Sequence, residues 1–252
     1  MTGNDIDERI KKHFATFDRA EFAGWLKKGL RDSYSPSRDS ENPHPFDPVY
    51  PEIVYQDMVG DYVTVPDFLG RVYDKFFSDS GKQMFRGAIG DVLSSQINQT
   101  ELTAEAFKDL IYLIPTVSAE ESLDSLVSFE GETKSGKGDL YATLAVLRHF
   151  KPSKTVYEAT ERLADSSNFD EGYLFEVIGI LVENQPFNTG NILRRFEPRI
   201  EKLRNSIPDD VKEREAFSRA KRDCFRRVSG ITDVVQYGGT WLTQDYGPLK
   251  VK

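Results

Sequence analysis

The sequence predicts a mainly α-helical fold, and three observations carry that expectation. Apolar residues recur at three- and four-residue spacing over most of the chain. Helix start signals stand just before those stripes. No series of apolar strands alternates with them, as a parallel α/β sheet would need.

Taken in order, residues 1–32 read as an amino-terminal helical pair, with Asp18-Arg-Ala-Glu21 in capping-box form. Residues 33–51 hold five prolines among Ser, Asp and Asn, which excludes a continuous helix and predicts a long loop or linker. Residues 52–230 read as a helical-repeat body. Residues 46–77, from the end of that loop into the body, are dense in aromatics (Phe46, Tyr50, Tyr55, Tyr62, Phe68, Tyr73, Phe76 and Phe77), read as core. Helical stripes then follow: Phe85, Ala88, Ile89, Val92 and Leu93; Phe107, Leu110, Ile111 and Ile114; Leu123, Leu126 and Val127; Leu140, Leu144 and Leu147. The stripe Leu174, Val177, Ile178, Leu181 and Val182 is the broadest and predicts the most buried helix. Further capping signals are read at Ser80–Gln83, Ser118–Glu121 and Thr155–Glu158.

Helix starts fall near residues 103, 118, 139, 155, 170, 188 and 210. Taken in pairs they repeat at 36, 31 and 40 residues, an irregular period that suits stacked helical hairpins of the HEAT-like α-solenoid kind, or an irregular helical bundle. Residues 231–252 read as a β-like tail packed on the body or a partner. Ile231–Tyr237 and Thr240–Thr243 are its two short strands, around Gly238-Gly239.

Composition narrows the chemistry. A chain of 252 residues needs no staple to hold a core. Cys224 is the only cysteine, which excludes an intramolecular disulfide and a cysteine-rich zinc site and suits a reducing compartment. The acidic start Met-Thr-Gly-Asn-Asp-Ile-Asp-Glu is unlike a signal peptide, and the longest uncharged apolar run, Leu110 to Ala119, is about ten residues, half a membrane span. A cytoplasmic protein without a membrane anchor is expected.

The net charge of −8 is unevenly spread. Residues 194–227 carry 12 Lys/Arg against 7 Asp/Glu, while residues 1–193 carry 19 against 32. An acidic body thus bears a basic penultimate segment, either a solvated helical face or a contact surface for an acidic partner or a phosphate backbone.

The stretch Gly131-Glu-Thr-Lys-Ser-Gly-Lys-Gly138 imitates a phosphate-binding P-loop. Gly131, Gly136 and Lys137 are correctly spaced, but Gly138 replaces the hydroxyl that would ligate magnesium. A P-loop also follows a buried strand, whereas Leu126 and Val127 belong to a helical stripe. The expectation is an inter-helix loop, with Asp139 capping the next helix.

The three histidines, His13, His44 and His149, have no Cys, His or carboxylate at metal-motif spacing. His13 and His149 are expected at helix ends, and His44 in the proline-rich loop. Gly-x-Ser-x-Gly does not occur. Cys224 has basic neighbours but reads as a buried structural thiol. Glu176 and Glu183 share a helix face, and both read as solvent-facing rather than as an acid pair. No cofactor, metal site or catalytic residue is assigned.

Arg219, Arg222 and Arg226 lie at i, i+3 and i+7, with Lys221 and Arg227 flanking them and Phe217 and Phe225 marking the expected buried side. These five cations, with Tyr237 and Trp241 of the tail, are the candidate partner-binding residues. The other reading of the stripe is an exposed helix whose charges pair with the acidic body, with Glu213, Glu215 and Asp223 nearby. The function expected is a non-catalytic protein-binding scaffold or adaptor, with an inhibitor or immunity-type protein that covers a basic partner as a special case. The alternative is nucleic-acid binding through Arg219–Arg227. The third class is an enzyme whose site leaves no local motif.

Overall fold

The computed structural model describes residues 3–31, 64–98, 102–132 and 139–237. Among them the fold is mainly α, with eleven α-helices, three short 3₁₀ turns and no strand. The chain divides into two compact units, Met1–Phe129 with Ser135–Gly138, and Glu130–Lys134 with Asp139–Lys252.

The first unit contains α1 (Gly3–Phe14), α2 (Arg19–Arg31), α3 (Val65–Phe76), α4 (Asp79–Asn98), α5 (Ala104–Thr116) and most of α6 (Leu123–Glu132). Helix α2 starts on the expected capping box. The Glu21 carboxylate accepts from the Asp18 amide at 2.7 Å, and the Asp18 carboxylate accepts from the Glu21 amide at 2.8 Å. Helix α2 packs on α4 and α3 on α5. Between α1, α2, α3 and α4 the core is aromatic. Phe22 meets Phe14, Phe77 and Phe85 with ring centroids 4.9 to 6.1 Å apart, mostly tilted or edge-on. Phe68, Tyr73, Phe76 and Phe77 are all buried, as expected, whereas Phe46, Tyr50, Tyr55 and Tyr62 lie outside the described residues. Helices α3 and α5 approach closely at Gly70, where a Cβ would stand 2.5 Å from Thr116 Cγ2.

Two start signals shift by two residues. Ser78, not Ser80, caps α4 through the Gly81 amide, and Ser153, not Thr155, caps the helix that begins at Lys154. A third is a different motif altogether. Ser118 does not open a helix but closes α5. Its amide donates to Pro115 O and the Ala119 amide to Ile114 O, with Ser118 at φ 54°. That is a Schellman ending with serine in the left-handed position usually held by glycine.

The second unit contains α7 (Leu140–His149), α8 (Lys154–Asp165), α9 (Leu174–Asn184), α10 (Thr189–Ser206) and α11 (Val211–Tyr237). Every residue of α9 from Leu174 to Val182 is buried, and α7, α8, α10 and α11 all pack on it. This is the broad apolar stripe of the sequence, acting as the axis of the unit.

The expected strand Ile231–Tyr237 is corrected. These residues continue α11, one helix of 27 residues. Val-Val-Gln-Tyr suits strand and helix alike by composition. One glycine, Gly230, falls inside the helix and costs about 1 kcal/mol against alanine, and helix propagation, which adds one hydrogen bond per residue, carries through. From residue 238 on the tail lies outside the described residues. The proline-rich stretch 33–51 and the beginning of the body lie outside them too.

Candidate partner-binding groove

Helix α11 begins where Asp210 Oδ1 accepts from the Lys212 and Glu213 amides, at 2.9 and 3.3 Å. Its inner stripe is Phe217, Ala220, Cys224 and Val228, all buried. Phe217 meets the Phe175 ring of α9 with centroids 5.7 Å apart, and the Cys224 thiol lies 3.7 Å from Phe175 O. Burial pushes the Cys224 thiol up to about 12, so it is an inert structural group despite its basic neighbours. Helix α10 turns Ile192, Phe196, Ile200 and Leu203 inward.

Among the described residues, nothing packs on the outer face of α11 beside the end of α10. An open cleft of about 1020 Å³ runs there. Its rim carries Arg204, Arg214, Lys221 and Arg222, and Phe217 and Phe225 lie along its floor. A shallower hollow of about 430 Å³ shares Arg214, Ser218 and Arg222 and adds Arg219 and Val211. Val211 is 71% exposed and Phe225 37%.

Phe225 corrects the expectation that it marks the buried side. Eight residues beyond Phe217, it is rotated by about 80° from it at 3.6 residues per turn, which moves it off the inner stripe and onto the edge of the cleft. Cys224 and Val228 hold the buried positions instead.

The rim cations are only loosely held. Lys221 lies 3.8 Å from Glu201, Arg204 3.6 Å from Glu201, and Arg222 3.9 Å from Asp223. Arg214 pairs with Asp209 in an exposed contact. Exposed pairs of this kind contribute about 0–1 kcal/mol each. Arg219 and Arg226 are exposed and pair with no carboxylate among the described residues. The side chains of Arg227 and Tyr237, and all of Trp241, lie outside the described residues. Of the seven sequence candidates, Arg219, Arg222 and Arg226 therefore share the outward side of one helix, while Lys221, about 160° round from Arg219, lines the cleft beside the buried stripe. Sequence reasoning missed Arg204 and Arg214. Arg214 precedes Lys221 by seven residues, two helical turns, which was the available signal. Arg204 reaches the cleft from another helix, and no local pattern marks it.

Glu176, Asp139, His13 and His149 take structural places. Glu176 is corrected from solvent-facing to buried: it is 3% exposed and pairs with Arg148 of α7. The lead into the glycine-rich stretch is helical, with Gly131 inside α6, and Asp139 caps α7 by accepting from the Ala142 amide at 2.9 Å. Residues 133–138 lie outside the described residues, as does His44. His13 stands at the end of α1 with its ring against Phe14 and Phe17, and His149 ends α7 beside Phe150. Among the described residues no three His, Cys, Asp or Glu side chains gather as metal ligands do, and no helix is long and apolar enough to cross a membrane.

Comparison of the chain with protein-family models, with curated proteins and with solved structures gives no match.

Proposed function

We propose that this chain is a non-catalytic, protein-binding adaptor that docks its partner along the outer face of α11. The observation that carries the reading is the cleft itself: basic side chains at its rim, Phe217 and Phe225 beneath them, and no helix packed over it among the described residues. Aromatic and arginine side chains together are the usual anchors of a protein interface. The sign of the rim favours an acidic partner over the basic one that an inhibitor or immunity-type protein would cover. A cytoplasmic setting suits the single buried thiol. The paired helix starts support the stacked-hairpin arrangement, whose extended surfaces serve such binding.

A photoreactive residue at exposed Ser218 tests the reading. After nuclease treatment of the native lysate, one protein should crosslink there in stoichiometric yield. Loss of all crosslinked protein after nuclease treatment would sink it.

That Arg219 and Arg226 pair with no carboxylate among the described residues favours a second reading, nucleic-acid binding. It predicts affinity that falls steeply with salt and weakens with Arg219→Ala and Arg226→Ala together.

A further inference from the structure

Resting on the docking reading, we propose that the occupant of the α10–α11 cleft is an acidic amphipathic helix of about three turns. Its apolar stripe lies over Phe217 and Phe225, and its carboxylates meet the rim cations.

Charge comes first. Arg204, Arg214, Lys221 and Arg222 face the cleft against Asp209 alone. Their present partners are exposed or distant, so a ligand carboxylate competes at little cost. Spacing comes next. Arg214 and Lys221 stand seven residues apart on α11, about 10 Å at 1.5 Å per residue. Two carboxylates seven residues apart on a ligand helix have the same separation and share a face. From Arg214 to Phe225 the cleft follows eleven residues of α11, about 16 Å, which is three turns of a ligand helix.

The floor then decides between ligands. The carboxylates of Asp209, Glu201 and Asp223 beside the rim act alike on any anion, but a phosphate backbone leaves Phe217 and Phe225 uncovered. An amphipathic helix uses both features, since its apolar side chains cover the rings while its carboxylates reach outward. The groove between two packed helices is also the natural seat for a third.

The probe is a phage-displayed library of random 16-residue peptides, selected on the full chain and counter-selected on the Arg214→Glu/Arg222→Glu variant. Both side chains are exposed, and circular dichroism confirms that the variant keeps its helices. Selected peptides should carry Asp or Glu seven residues apart, with apolar residues at helical spacing between them. The tightest, synthesised alone, should bind at least about 10-fold more weakly to the charge-reversed variant and about 5-fold more weakly to Phe225→Ala. Three outcomes overturn the proposal: no enrichment, enrichment without carboxylates, or tighter binding of a 20-nucleotide single strand than of any selected peptide. If these appear while Ser218 still crosslinks a nuclease-resistant protein, the acidic-helix ligand fails and the docking reading stands. If the crosslink fails as well, both fall.

Discussion

Helices α10 and α11 are both rich in arginine, yet they use it in opposite ways. On α10, Arg195 spans Glu161 and Asp165 of α8. Arg199 holds Glu171 at 2.9 Å, donates to Ala164 O at 2.7 Å and lies over the Phe169 and Phe196 rings. On α11, Arg219 and Arg226 meet no carboxylate among the described residues, and Lys221 and Arg222 reach theirs only at 3.8 and 3.9 Å. Both helices contribute to the same basic segment of the sequence. The charge count is therefore silent on which cations are structural and which are available. That distinction lies in the partners supplied by α8 and by the turn before α9.

Substitutions at tied and untied charges should separate cleanly. The largest effect is expected at the buried extreme of the tied class. Glu176→Ala strands Arg148 in a buried site and should cost about 3–5 kcal/mol in urea unfolding. Replacing both partners with apolar residues should recover much of that loss, because the stranded charge disappears with its mate.

Glu130 sharpens the contrast as a half-buried carboxylate that pairs with no cation among the described residues. It accepts from the Asp139 amide at 2.8 Å and from Thr143 Oγ1 at 3.1 Å. Burial nevertheless raises it to about 7, against 4.5 ordinarily, and the nearby Asp139 adds to the rise. With the folded value raised, the stabilisation from proton binding is complete below about pH 4.5 and is lost as pH rises through 7. The full swing is about 3 kcal/mol. Glu130→Gln should flatten that part of the stability profile and raise stability at pH 8 relative to the parent. An unchanged slope between pH 5 and 8 would contradict the assignment.

Smaller losses follow on α10 and almost none on α11. Arg199→Ala removes a carboxylate pair, a carbonyl contact and two ring contacts, and should cost about 1–2 kcal/mol. Arg219→Ala with Arg226→Ala should stay within about 0.5 kcal/mol by the same unfolding measurement. A loss on α11 as large as that on α10 would mean that its arginines are structural after all.

Much of the helical architecture was legible because helix signals are local. The stripe through Leu174–Val182 reports an axis buried all round, and Asp18–Glu21 closes its capping box as written. Ser118 misled because serine at a helix start and serine in a Schellman ending look alike until the φ is known. Ile231–Tyr237 misled because β-branched residues tolerate a helix once an upstream turn has nucleated it. The groove was half legible. The spacing of Arg219, Arg222 and Arg226 places them on one face of α11, but the exposure of Phe225 requires the inner stripe to be fixed first. The burial of Glu176 depends on Arg148, 28 residues away, and no periodicity announces it.

The central claim is that the cations lining the α10–α11 cleft, and not basic charge in general, hold a protein partner. The most direct measurement is affinity capture from native lysate, after nuclease, with three forms of the full chain. These are the parent, Arg214→Glu/Arg222→Glu in the cleft, and Lys154→Glu/Arg194→Glu elsewhere on the second unit, with an equal change of charge. The account predicts one stoichiometric protein on the parent and on the Lys154/Arg194 form, and at least about a 10-fold loss on the cleft form. Equal capture by all three forms, or equal loss from both variants, would contradict it.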